Sequence, residues 1–585
     1  MWTLCVLFTL LLCHVTSPAP VIPAPWGSIQ GFDMEGRGGR RLSGYLGIPY
    51  ARPPTGELRW QKPHPHPGPG EGNVFMADTF APACPQELPG LGGVTAGVSE
   101  DCLTLNVYVP TTVDSPRPVM VFIHGGALFM GEAAMYRPFK LVADGDVIVV
   151  TIQYRLGALG FLSTGDDTLP GNLGLWDQNL ALRWVKDNIR AFGGDDEVVT
   201  LFGESAGSWS TGLQIVSPYS KGLFHRAILQ SGSPITSVYF ALDERKSFEG
   251  ISRALDCESD TDQKTLECLK TRSADVIVAK TTEWSKESGE MIPVAARIDG
   301  DFIPRDPLEL VQDEDYVQAN GIGDIDVIAG LNNKDGAVVA LFGTSPDSLT
   351  NQAVFRAVVD KLVKLMNKRT PEDVVSTDEA NDDENDVIPQ VVEFFYKRDV
   401  IGTNTAVSVE TVINIHGDAL FFAPTIQWLR PLVSQSHQGA RYLYLLEHDF
   451  YFNREGIPGT HHADELFIEF DVQTSEGSLF QLAGKSTEAC NEEDDRMSDM
   501  FVDVVTSFAK TGNPSGPLRT ALGGDWPEFT SEDEACLSLS LTPQVRRDVM
   551  RDRMALWLQL VPQIVSATQR QQKQPPPDNS TRDEL

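Results

Sequence analysis

The sequence holds 585 residues, 41% hydrophobic and 22% charged, with 81 acidic side chains against 47 basic ones and a net charge of −34. That surface repels phosphate backbones and anionic headgroups, which excludes nucleic acid as a partner and disfavours anionic membranes. The apolar fraction is that of a chain able to bury a core.

Leu4 to Cys13 is an apolar run interrupted only by Thr9, and small residues and prolines follow from Thr16 to Pro25. The run is too short to span a bilayer and reads as a secretory signal over 1–19, cleaved within 16–24. No later stretch reaches the ~18 consecutive apolar residues of a spanning helix, so no transmembrane anchor is expected.

From about Val119 the chain alternates strand and helix patterns. Val119–His124 and Val147–Gln153 read as buried strands. Leu175–Phe192 has apolar residues at helical spacing and stops at Gly193-Gly194. Val198–Phe202, Ala227–Gln230, Val327–Ala329 and Tyr442–Leu446 read as further strands. The alternation predicts an α/β fold with a large, mostly parallel sheet covered by helices on both faces. No repeat or linker divides 20–565, which reads as one domain. The acidic stretch 376–386 reads as a solvated loop.

From 566 the chain turns Gln- and Pro-rich and reads as a disordered tail. It ends Arg582-Asp583-Glu584-Leu585, similar to the Lys-Asp-Glu-Leu address read by a retention receptor of the endoplasmic reticulum, with secretion as the alternative. Asn579-Ser580-Thr581 is the acceptable glycosylation sequon, because Asn513 precedes a proline. Cys5 and Cys13 leave with the signal. Cys84, Cys102, Cys257, Cys268, Cys490 and Cys536 remain, an even number that suggests disulfides in an oxidising compartment.

The chemistry starts at Val198 to Phe202, which runs directly into Gly203-Glu204-Ser205-Ala206-Gly207. A buried strand, a Gly-x-Ser-x-Gly turn and a helix start form a nucleophile elbow, in which flanking glycines make room for a serine at strained φ/ψ. An acyl-transfer serine needs a preorganised oxyanion hole. His124-Gly125-Gly126-Ala127 follows an upstream strand, so the N–H groups of Gly125, Gly126 and Ala206 are the expected donors.

A serine hydrolase of this kind places its acid and then its histidine after the serine. His461 and His462 sit in Pro458-Gly459-Thr460-His461-His462-Ala463-Asp464-Glu465, a loop suited to presenting a base. No third ligand stands nearby at zinc spacing, so no metal is expected. Asp335 follows the strand pattern Asp326 to Leu331 and would orient the histidine, but spacing does not separate it from Asp324 or Asp326. Glu204 reads equally as an electrostatic tuner or an ordinary buried polar residue.

These motifs resemble the carboxylesterase type-B (cholinesterase/lipase) family over nearly all the mature length. The resemblance is carried by Phe192-Gly193-Gly194 through Gly203-Glu204-Ser205-Ala206-Gly207 and by Glu100-Asp101-Cys102-Leu103-Thr104-Leu105-Asn106-Val107. Gly160-Phe161-Leu162-Ser163-Thr164-Gly165-Asp166 and Asn332-Asn333-Lys334-Asp335-Gly336 resemble the bile-salt-activated lipase branch. The resemblance implies an α/β-hydrolase fold and a triad of Ser205 as nucleophile, Asp335 as acid and His462 as base. It implies the disulfides Cys84–Cys102 and Cys257–Cys268 and a structural Arg59–Glu100 ion pair, and leaves Cys490 and Cys536 open. It also implies hydrolysis of carboxylic esters, including lipid esters such as acylglycerols, cholesteryl and retinyl esters, with no cofactor. The basic cluster of that branch is missing, since Thr79 to Cys84 carries no charge, which speaks against bile-salt activation. Two alternatives share the fold: a non-catalytic, neuroligin-like adhesion protein and a cholinesterase- or hormone-esterase-like enzyme. The presence of all three triad positions argues against the first.

Overall fold

Short runs of β-branched and aromatic residues, buried on both sides, build the centre of the molecule. A computed structural model describes residues 18–87, 97–236, 243–290, 292–342, 359, 362–363, 387–396, 408–433, 438–453, 457–472, 490–547 and 549–572. In chain order the strands are β1 Pro18–Ala24, β2 Gly27–Glu35, β3 Arg41–Pro49, β4 Val74–Met76, β5 Thr104–Pro110, β6 Arg117–Ile123, β7 Tyr136–Arg137 and β8 Ile148–Ile152. They continue with β9 Gly194–Glu204, β10 Arg226–Gln230, β11 Asp326–Asn332, β12 Arg441–Leu446, β13 Asp471–Val472, β14 Cys536–Leu539 and β15 Gln544–Arg546. The main sheet runs β1-β2-β3-β5-β8-β6-β9-β10-β11-β12-β14-β15, with β4 on β2, while β7 and β13 pair separately.

From β8 through β14 every neighbouring pair in that order is parallel. Every residue of Ile148–Ile152 is buried, as a parallel strand covered on both faces requires. Alternate side chains of β6 enter two separate cores. Val119, Val121 and Ile123 pack with the helices Leu173–Asn188 and Ala206–Val216, whereas Met120 and Phe122 pack against Phe501, Val505 and Phe508 of the helix Glu492–Thr511. That last helix is started by a capping box between Asn491 and Asp494 and stopped by Gly512 at φ 75°.

The anticipated mostly parallel α/β sheet is therefore present, and each anticipated strand exists: β9, β10, β11 and β12 are wider than expected, β8 is one residue shorter at each end, and β6 starts earlier and stops at Ile123. The antiparallel part, β1 to β3 with β5, lies before the alternation begins. β1 to β3 are partly exposed and cut by Gly or Pro, and β5, though buried, carries Thr104 and Asn106 among its apolar residues, so no continuous apolar run marks them. Leu173–Asn188 is α-helical, and the expected remainder to Phe192 tightens into a 3₁₀ turn over Ile189–Phe192 that closes on Gly193 at φ 83°. The final helix Val561–Gln572 extends past 566, where the tail was expected to begin; glutamine and arginine are good helix formers, so their abundance does not end a helix.

Both implied disulfides are present, Cys84–Cys102 and Cys257–Cys268. Cys490 is half-buried and Cys536 buried, and both are unpaired. Arg59 Nε donates to Glu100 Oε1 at 2.7 Å, and the same guanidinium reaches the Arg272 carbonyl, so the pair ties three segments together. Residues 1–17 of the signal expected over 1–19, the acidic stretch 376–386, Asn579 and Arg582 to Leu585 lie outside the described residues, while Pro18 and Ala19 begin β1. Among the described residues no helix is long and apolar enough to cross a membrane.

Candidate active site

β9 ends at Glu204, and the chain turns at once into the helix Ala206–Val216. Ser205, at the corner, has φ 56° and ψ −123°, a conformation that side chains rarely adopt. Its N–H donates to the Gln230 carbonyl at 2.9 Å, and its carbonyl accepts the Trp209 N–H at 2.9 Å as the helix begins. The corner is tight against β6. A Cβ placed on Gly207 would lie 2.0 Å from the Ile123 oxygen, so only glycine fits.

The register of β6 on β9 pairs Ile123 with Gly203, which sets His124-Gly125-Gly126 beside the serine corner. A Cβ on Gly125 would lie 2.7 Å from the Glu204 oxygen, 2.9 Å from Glu204 Oε2 and 3.1 Å from Ser205 Cβ. The glycine backbone therefore approaches the serine as closely as a chain can. His124 stacks on Tyr154 at 4.5 Å, and burial pulls its imidazole down to about 4, which leaves it neutral.

The carboxyl ends of β11 and β12 supply the other partners. Asn332 pairs with Leu446 in the parallel register, so the loops after both strands emerge together. His462 Nδ1 lies 3.0 Å from Asp335 Oδ1, and both side chains are buried. The other oxygen, Asp335 Oδ2, accepts the Asn332 N–H at 2.8 Å and the Ser231 hydroxyl at 3.0 Å. His462 Nε2 faces back toward β9, 3.1 Å from Glu204 Oε1. Phe421 packs on the imidazole with ring centroids 4.7 Å apart. Backbone strain gathers here as well: Ala127, Leu128, Ser205, Ser231 and Ala463 all have φ between 51° and 69°.

Behind this pair lies a second layer of acids. Glu465 is fully buried and receives the Asn332 side-chain N–H. Burial, with the Glu204 and Asp335 charges close by, pushes its carboxyl well above the usual carboxylate range. Glu469, one helical turn later, is also fully buried and is pushed up to about 8 by desolvation. Among the described residues no group of three or more His, Cys, Asp or Glu side chains is arranged to hold a metal ion.

The sequence profile of the carboxylesterase family matches residues 18–557. The chain belongs to the carboxylesterase family. It is 31% identical to the medium-chain fatty acyl-CoA hydrolase precursor of Anas platyrhynchos, covering 94% of each chain. It is 32% identical to carboxylesterase 1D of Rattus norvegicus over 93% of this chain and 94% of that one. It is also 30% identical to neuroligin-2 of Mus musculus, over 93% of this chain and 68% of that one. The family accounts for the α/β-hydrolase sheet.

Within this carboxylesterase-family frame, the ambiguities left by spacing acquire positions. Asp335 sits beside His462. Asp326 accepts the Ala440 N–H at 2.9 Å and pairs with Arg226 at the opposite end of β11, and Asp324 is exposed in the turn before it. A seven-residue strand, roughly 20 Å long, separates them from the site. His461 Nε2 lies 2.7 Å from the Ile457 carbonyl, so the adjacent histidine rings have separate partners. Gln230, Ser231, Phe421, Glu465 and Glu469 were not singled out from the sequence. The acids did leave a signal: Glu465 directly precedes, and Glu469 interrupts, an otherwise apolar stretch, Leu466-Phe467-Ile468-Glu469-Phe470, shortly after His462.

Proposed function

We propose that this chain is a serine carboxylic-ester hydrolase that works through an acyl-enzyme on Ser205, with His462 as base and Asp335 as acid. The observation that carries the reading is the buried His462–Asp335 hydrogen bond beside the strained Ser205 corner. In the first step His462 Nε2 takes the hydroxyl proton while Ser205 Oγ attacks the ester carbonyl. Asp335 holds the imidazole by Nδ1 and stabilises the imidazolium. The N–H groups of Gly125, Gly126 and Ala206 receive the oxyanion. The imidazolium then returns its proton to the leaving alcohol. Water, activated by the same histidine, releases the acid and regenerates Ser205.

The substrates proposed are lipid or broad carboxylic esters. A relative whose name specifies fatty acyl-CoA hydrolysis supports an acyl chain on the substrate, and the bile-salt-lipase-like runs around Gly160 and Asn332 support acylglycerols and sterol or retinyl esters. Bile-salt activation is not part of the proposal, because Thr79 to Ala83 is uncharged. The two disulfides support a route through the secretory pathway, with Arg582 to Leu585 as the address for retention in the endoplasmic reticulum.

The neuroligin likeness supplies a second reading, an adhesion protein without activity. Fluorophosphonate labelling separates the two. Covalent label on Ser205 of the folded protein, lost in Ser205→Ala, is the expected result, and its absence would overturn the enzyme reading. A parallel panel of triacylglycerol, cholesteryl ester and short choline ester, with and without bile salt, then ranks the substrates.

A further inference from the structure

Ser205 is held by its backbone N–H, and the acceptor is the carbonyl of Gln230. Gln230 is the last residue of β10, paired in register with Glu204 on one side and Gly330 on the other. Its side chain is fully buried, and its Nε2 donates to Glu469 Oε2 at 3.0 Å. Glu469 thus lies one residue removed from the nucleophile, although it contributes nothing to the triad. Its position is unusual. A carboxyl group ends the apolar turn Leu466–Glu469, with no exposure to water. Among the described residues its other oxygen, Oε1, has no hydrogen-bond partner, and neither has Gln230 Oε1.

Two buried acceptors without donors are costly if the acid is ionised. A neutral carboxylic acid removes the problem. It keeps one oxygen to accept from Nε2 and supplies an O–H, which the oxygen of the same Gln230 amide is able to accept. Around the pair, Glu465 lies one turn earlier on the same segment with Glu204 and Asp335 beyond it, and the buried phenol of Tyr444 approaches Gln230 from β12; burial holds both the Glu465 carboxyl and the Tyr444 hydroxyl in their protonated forms. Resting on the esterase reading above, the geometry points to Glu469 as a positioning residue: as a neutral acid it clamps Gln230, whose carbonyl holds the Ser205 corner in its reactive conformation. Desolvation, which lifts Glu469 to about 8, agrees with that protonation state at neutral pH.

Ionisation would remove the O–H and set carboxylate against amide oxygen, loosening the clamp. The test uses the full chain as wild type, E469Q and E469V, with ester hydrolysis followed across pH and fluorophosphonate labelling run beside it. For the wild type, kcat is expected to decline as pH rises through about 8. E469Q, which keeps shape and neutrality, should lose that decline and rescue most of the neutral-pH kcat. E469V, which strands the Gln230 amide, should lose roughly tenfold or more of kcat at every pH with KM within about twofold. An E469Q profile that retains the alkaline decline, or an E469V enzyme matching wild type, overturns the inference. If E469V does not fold, the E469Q profile decides alone. A wild type that takes no label and hydrolyses no ester fails the esterase reading itself and brings this inference down with it, an outcome distinct from an active wild type whose variants track it.

Discussion

His462 Nε2 lies 3.1 Å from Glu204 Oε1, so the residue before Ser205 touches the atom proposed to receive the Ser205 proton. Both side chains are buried, and the contact brings a carboxylate to the imidazole face opposite Asp335. In the proposed mechanism, a negative charge there stabilises the imidazolium that forms as Ser205 attacks. E204Q is expected to lower kcat about tenfold with KM within about twofold. A rise in kcat would show instead that Glu204 competes with Ser205 for the histidine.

Asp335 has three donors, and they should not weigh equally. D335N preserves volume but presents an amide to Nδ1 and favours the wrong tautomer, so kcat should fall on the order of 10³-fold or more. S231A removes one of two donors to Oδ2 while Asn332 N–H remains, and should cost about tenfold or less. Steady-state hydrolysis of one ester by both variants checks the order. An S231A enzyme as impaired as D335N would mean that Ser231, not the acid, sets the geometry.

Gly125 has no room for a methyl group. In G125A the new carbon would press on Glu204 and Ser205 within 3.1 Å, and the Gly125-Gly126 loop, proposed to receive the oxyanion, would have to withdraw. The expected result is a loss of kcat/KM on the order of 10²-fold, with a much smaller change in melting temperature because the displaced segment is a loop. Equal loss of fluorophosphonate labelling rate and ester turnover would place the defect in acylation. A variant that simply unfolds, by circular dichroism, would count against this account.

The buried acid also couples stability to pH. Glu469 is held up to about 8 in the folded protein against an ordinary value of 4.5, so the folded state binds the proton more tightly. Below the ordinary value both states are protonated and the contribution is fully present. As pH rises toward about 8 the unfolded chain ionises first, and stability falls by on the order of 1 kcal/mol per pH unit from this group. E469Q should flatten the melting temperature between about pH 5 and about pH 8. Superposable curves for the two proteins would refute it.

Much of the site was legible before any fold was known. The Ser205 turn announces itself because its strand, its glycines and its helix are contiguous, so local sterics alone demand the arrangement. The Gly125-Gly126 loop is legible for the same reason. Spacing narrowed the histidine and its acid to small sets, and only the family resemblance chose His462 and Asp335 from them. Asp335 and His462 stand 127 residues apart, and nothing local distinguishes Asp335 from Asp326 or His462 from His461. Gln230 read only as the end of a strand and Glu469 was not singled out, since a sequence shows neither burial nor partner.

Locally determined, then, are the Ser205 corner, the glycine loop beside it, the strand-and-helix alternation and the acidic surface, each fixed by sterics or composition within a few residues. Only the tertiary structure decided the rest. The parallel register of β9, β10, β11 and β12 brings their carboxyl ends level, and from those ends emerge Ser205, Ser231, Asp335 and His462. Packing then took Glu465 and Glu469 out of water and set them behind the site. A carboxyl group's protonation depends on what surrounds it, and those surroundings come from segments far apart in the chain.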